Sequence, residues 1–285
     1  MGDWGNSFNL ISIVYLGIAA YTVARLLRLG PGAFAEPLAG ERPRLIAAAS
    51  FYVLTPVAVA LHELGHAAAI WALGGQVIDY HYILYWGYVV PSQSFGPAGD
   101  FAVALAGNLV TLAVGLGAAL AVLWAPGRAA WNLLWGRLAE VQLSMVLVIY
   151  PVFCLLGFGG DFLLIYRRDT PWLSGPLLLA HLAGLATVVA QRNGRAGARF
   201  RLHMSPLWDV ARKAERERAA APTDPLPEKI LAAVYDRAGL PTEAQAHAAL
   251  ASQLDPAPPG SSAAAGVSSE RSANGSERRA DPEAG

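Results

Sequence analysis

Charge is scarce in this chain. Asp, Glu, Lys and Arg make up 15% of its 285 residues and hydrophobic residues 54%, where a soluble domain carries about 25% charge. The 21 basic and 21 acidic residues cancel, so no single-sign surface argues for a nucleic-acid partner. Cysteine is almost missing. The single Cys154 excludes an internal disulfide and any cysteine-built metal cluster, and its place in an apolar run reads as a packed core residue.

What is abundant is apolar sequence in runs of spanning length. A membrane-crossing helix needs about 20 mostly apolar residues, and such stretches lie near 8–27, 45–73, 101–124, 138–158 and 172–190. The first has no basic n-region and no small-residue cleavage site behind it, so it is expected to be retained rather than removed as a signal peptide. The fold class that follows is an all-α polytopic membrane protein with about five transmembrane helices, multi-pass in a lipid bilayer, with the cell membrane as the expected location. Residues 1–192 form the membrane domain, with 45–165 as its core. Residues 193–254 read as a small soluble helical tail, with a charged helix around 206–220 and a helical stretch over 227–254. Residues 255–285 are Pro, Ser, Gly, Ala and charge, with almost nothing to bury, and are expected to be disordered.

Between the second and third spans the pattern changes. Val77, Ile78, Tyr80, Tyr82, Leu84, Trp86, Tyr88 and Val90 alternate as β-structure does, which predicts a short hairpin or extended loop at the membrane interface. One reading is an aromatic belt at headgroup level; the other is a strand edge able to pair with an extended peptide. Pro56 is expected to kink the second span, Gly74-Gly75 to close it and Asp100 to cap the third.

Against this apolar background, Leu61-His62-Glu63-Leu64-Gly65-His66-Ala67 stands out. Residues four apart share one helix face, so His62 and His66 can direct two imidazoles at one metal with Glu63 beside them. This is the H-E-x-x-H arrangement of zinc hydrolases. A buried carboxylate at mid-membrane is disfavoured by about 2.5–3.5 kcal/mol on insertion scales, and two structural histidines offer Glu63 no return for it. Zn²⁺ binds neutral imidazoles at about 2.0–2.1 Å and brings the pKa of water to near 7, which gives Glu63 a proton to take and return as general base.

A catalytic zinc needs a third protein ligand. The fourth span runs parallel to the second, two crossings away, so groups late in both share a depth. Asp161 lies at the late end of the fourth, after Gly157-Phe158-Gly159-Gly160, where a glycine cluster frees the backbone. Glu140 lies at the opposite end. Asp161 is therefore the expected ligand and Asp100, at the start of the third span, the reserve, although Asp161 can also be read as the cap of a short helix. Asn108 reads first as interhelical packing glue and second as a group lining the site. His181 reads as a satisfied structural histidine.

Together, His62-Glu63-Leu64-Gly65-His66-Ala67 in an apolar helix, the aromatic extended stretch after it, Ala106-Gly107-Asn108-Leu109 in a small-residue span and the late Gly159-Gly160-Asp161 resemble the site-2 protease family of intramembrane zinc metallopeptidases over roughly residues 45–165. The resemblance implies zinc held by His62, His66 and Asp161, with Glu63 as general base, and a membrane-embedded protein substrate cut in or near its transmembrane segment. Asp161 departs from the family in being followed by Phe162 rather than glycine. A second class of function fits the same residues, a non-proteolytic zinc-binding membrane scaffold or regulator. A transporter is a weaker third, since no repeated halves or paired broken helices occur. Arginines 25, 28, 42, 44, 128 and 137 and those from 192 onward favour a cytoplasmic tail, while the resemblance, with Arg167 and Arg168, favours a site open to the cytosol.

Overall fold

The structure, a computed structural model, describes residues 4–255; nearly all of the stretch expected to be disordered lies outside the described residues. Five helices are long and apolar enough to cross a membrane: Ile11–Phe34, Arg42–Ala72, Gly96–Trp124, Ala129–Phe158 and Pro171–Asn193. Their outer faces are apolar and uncovered, with Leu27 74%, Leu155 77% and Leu179 70% exposed. Such surfaces call for a hydrocarbon solvent rather than water. By length and composition, the described residues suit a helical, polytopic membrane protein with one small two-stranded sheet.

The second, third and fourth spans pack on one another. The first leans on the second, where Tyr15 meets Phe51 and Tyr52 edge-on. The fifth leans on the fourth and holds His181, whose Nε2–H donates to the Leu147 carbonyl at 2.9 Å and whose Nδ1 accepts from the Tyr166 hydroxyl at 2.5 Å. His181 is thus a satisfied structural histidine.

The hairpin forms as the alternation predicts. Strand β1 (Val77–Ile83) pairs antiparallel with β2 (Trp86–Pro91), Tyr80 opposite Val89 and Tyr82 opposite Gly87. It also explains how the second span tolerates Pro56. Proline lacks an N–H and crowds the turn before it, and the helix widens into a π turn over Ser50–Leu54 just ahead of it. The carbonyl freed four residues upstream, at Tyr52, accepts from the Tyr85 hydroxyl at 3.1 Å, and the Pro56 carbonyl accepts from Tyr82 at 2.7 Å. Two hairpin tyrosines therefore fasten the sheet to the helix just upstream of the histidine motif.

The third span starts at Gly96, a turn earlier than the apolar run suggests. Pro97 suits a first helical turn, and Asp100 reaches back from inside the helix to accept from the Phe95 N–H at 3.0 Å and the Ser94 hydroxyl at 2.8 Å. The fourth span begins at Ala129 and contains two further π turns, Met145–Ile149 and Cys154–Phe158. Beyond the glycines, Asp161–Ile165 makes a short helix. Cys154 is buried there with Phe101, Ala104, Phe162 and Ile165, as expected of a core thiol.

The tail comprises helices Arg195–His203, Pro206–Ala220, Pro225–Arg237 and Pro241–Leu254. The expected stretch over 227–254 is two helices, because Gly239 takes a φ of +74° and Pro241 follows. Its beginning is part of the membrane domain's packing: Met204 shares a buried cluster with Leu38, Ile46, Val122 and Leu133. Asp209, 4% exposed, accepts from the Leu38 N–H at 2.9 Å and the Ala129 N–H at 3.0 Å, so one carboxylate joins the tail to the first loop and the fourth span.

Candidate metal centre

The H-E-x-x-H spacing lies within the unbroken α-helix Thr55–Ala72, so His62 and His66 point the same way one turn apart. Their Nε2 atoms are 3.0 Å from each other. Asp161 Oδ2 is 3.2 Å from each of them. The fourth span and its glycine break thus deliver the carboxylate to the depth of the two imidazoles, and His62, His66 and Asp161 form a group that could hold a metal ion. Asp100 lines the same cleft, but its carboxylate is committed to the start of the third span. Glu140 stands apart, paired with Arg137 at 2.5 Å.

The far side of each ring is fixed by the third span. The Nδ1–H of His66 donates to the Val103 carbonyl at 2.7 Å. Thr111 donates its hydroxyl to the Gly107 carbonyl at 3.3 Å, which leaves its oxygen to accept the Nδ1–H of His62 at 2.9 Å. With both protons held at Nδ1, two bare Nε2 lone pairs and a carboxylate oxygen face a common point. These three acceptors repel one another unless a cation sits between them. Tetrahedral zinc spaces its N and O ligand atoms by about 3.3–3.4 Å, given bonds of about 2.0–2.1 Å; the separations of 3.0 and 3.2 Å lie close to but slightly below that spacing. The donor set, two imidazoles and a carboxylate, also suits zinc.

Close approach of the helices requires small residues. A Cβ at Gly107 would fall 2.4 Å from His66 Nε2, so a side chain there would displace the imidazole. Gly160 is required twice over: its φ is +113°, and a Cβ would meet the Tyr150 hydroxyl at 2.6 Å. That hydroxyl accepts the Asp161 N–H at 3.1 Å. Asn108, 4% exposed, donates from Nδ2 to Asp161 Oδ2 at 2.9 Å and to the Ala104 carbonyl at 2.9 Å. It therefore joins two spans, as packing glue would, and also touches the aspartate.

Glu63 stands beside the group without belonging to it. It is 4% exposed, and its Oε2 has no partner. Strand β2 lies across it, so that a Cβ at Gly87 would fall 2.9 Å from Glu63 Cγ. A cleft of about 510 Å³ opens in front, lined by His62, Glu63, His66 and Asp161 and by Gly87 to Pro91 of β2.

Sequence reasoning did not assign Thr111 or Tyr150, and it set the site role of Asn108 second. The signal available was spacing: Asn108 and Thr111, three apart and next to Gly107, are the polar groups on the tight-packing face of an otherwise apolar helix. No family model matches the chain, and no solved structure matches it.

Proposed function

We propose that this protein is an intramembrane zinc metalloendopeptidase of the site-2 protease type, which hydrolyses peptide bonds in or near the transmembrane segments of other membrane proteins. The observation that carries the reading is the convergence of His62 Nε2, His66 Nε2 and Asp161 Oδ2 within 3.2 Å of one another, next to a buried glutamate with an unpaired oxygen.

His62, His66 and Asp161 would hold the ion. Once bound, zinc supplies a Lewis acid that polarises a peptide carbonyl and makes water acidic enough to yield hydroxide near neutral pH. Glu63 is the group placed to move protons: its free Oε2 can take one from attacking water and pass it to the departing amine. Its burial beneath β2 keeps bulk water from competing for that oxygen. The third span supplies orientation, because Val103 and Thr111 fix which ring nitrogen each histidine presents. The strand beside the cleft offers main-chain N–H and C=O groups that an unwound substrate segment could pair with, a need peculiar to a protease whose substrate arrives as a helix.

The test uses the full-length protein in proteoliposomes with a set of tagged single-span membrane proteins. Cleavage is expected to be lost with a chelator, restored by Zn²⁺ and reduced by at least about 100-fold in Glu63→Gln, while zinc measured by mass spectrometry stays near one per chain. Cleavage that persists in Glu63→Gln overturns the reading. Zinc bound at one equivalent with no cleavage by the wild type favours the scaffold alternative.

A further inference from the structure

The third ligand of the candidate centre follows a glycine-rich stretch of backbone. Gly157, Gly159 and Gly160 have φ values of +91°, +78° and +113°, and Asp161 is the first residue of a helix of only five. Glycine in these regions of φ/ψ space places few limits on the residue that follows. A ligand must nevertheless be held within a fraction of an ångström of its working position. The restraint has to come from elsewhere.

Two contacts provide it. Tyr150 takes the backbone N–H of Asp161. Asn108 Nδ2 donates to Asp161 Oδ2, the oxygen that faces both imidazoles. The other amide hydrogen of Asn108 goes to the Ala104 carbonyl one turn earlier in its own helix, which fixes the amide plane. Asn108 is the costly choice for mere packing. Its Oδ1 is buried with no partner, a penalty that an apolar residue of the same size would not carry. A polar group retained despite an orphaned oxygen points to what its donor side does.

We infer that Asn108 is a positioning residue for the metal centre: its amide holds Asp161 Oδ2 toward His62 and His66 and leaves the second oxygen of the carboxylate free of this contact. The inference rests on the metal-binding part of the proposed function and not on proteolysis. Removing an outer hydrogen-bond partner of a ligand typically weakens metal affinity 10–100-fold.

The experiment titrates purified full-length protein in detergent with Co²⁺, reading the visible absorption of the bound ion, and then with Zn²⁺ in competition. Asn108→Leu is expected to bind Co²⁺ about 10–100-fold more weakly, with a changed visible spectrum and an unfolding midpoint of the metal-free protein at or above that of the wild type. Asn108→Gln, which keeps an amide donor, is expected to fall between Leu and wild type. Wild-type affinity and spectrum in folded Asn108→Leu overturn the inference. So does an unchanged spectrum with affinity lost only in step with a lowered unfolding midpoint in both variants, the signature of a purely structural residue. If the wild type binds one Co²⁺ and the variants behave as stated but no membrane substrate is cut, the positioning role stands and the protease reading falls; a wild type that binds no metal overturns both.

Discussion

Two aspartates are tucked into opposite ends of the membrane core, and they are solved in opposite ways. Asp209, at the tail end, accepts two backbone N–H groups from separate elements and faces no imidazole. Asp161, at the hairpin end, faces two histidine nitrogens whose protons are already committed to the other side of each ring. The first environment is complete as it stands, since neutral donors satisfy the charge. The second leaves three acceptor atoms facing one another, a group that could hold a metal ion. What separates a structural carboxylate from a candidate ligand is whether its partners are donors or competing acceptors.

That contrast can be broken by exchanging the losses. Asp161→Asn is expected to reduce zinc affinity by more than about 100-fold, beyond the range for an outer partner, because one of three protein ligands is gone. The metal-free protein should unfold close to the wild-type midpoint. Equilibrium dialysis with zinc and a thermal melt of the same sample check both, and near-normal zinc binding would remove Asp161 from the centre. Asp209→Ala is expected to do the reverse. It leaves two buried N–H groups unpaired, each worth about 1.5–3 kcal/mol when bonded to a charged group, so the melt should fall by several degrees while zinc affinity of the folded protein is unchanged. A melt that does not move would show that the Asp209 carboxylate adds nothing to the hold on the tail.

The two ends also differ in how far they could be read from sequence. At the hairpin end the signals are periodic: histidines four apart, β-alternation over residues 77–90, and glycines clustered before an aspartate. These fixed spacings report local geometry, and the parallel run of the second and fourth spans brought Asp161 to the right depth. The third span's contributions, Thr111 on His62 and Asn108 on Asp161, depend on how one helix is rotated against another. Apolar composition on all sides of that helix carries little record of rotation. At the tail end, Asp209 sits in a helix with Arg212, Lys213, Glu215, Arg216, Glu217 and Arg218, which reads as a solvated charged face. That one of these charges is buried against the membrane domain goes with Met204, just before it, packing into the cluster of Leu38, Ile46, Val122 and Leu133, a long-range event with no local pattern.

The smallest effect expected concerns the same docking seam. His203 closes the first tail helix, donates from Nδ1 to the Val122 carbonyl at 2.8 Å and packs its ring against Trp208. Burial, with the Arg199 charge adding to it, holds its pKa below the ordinary histidine value despite the bond to Val122. A group that is harder to protonate folded than unfolded binds more protons in the unfolded state, so stability rises with pH across the interval between the two values. The contribution of His203 is therefore intact above about pH 6.5 and declines as pH falls below it. In urea or thermal melts of the metal-free protein at pH 7.5 and pH 5.5, the wild type should lose more stability than His203→Gln, by roughly 1 kcal/mol or less. Equal losses would mean that His203 adds nothing to the pH dependence of this seam.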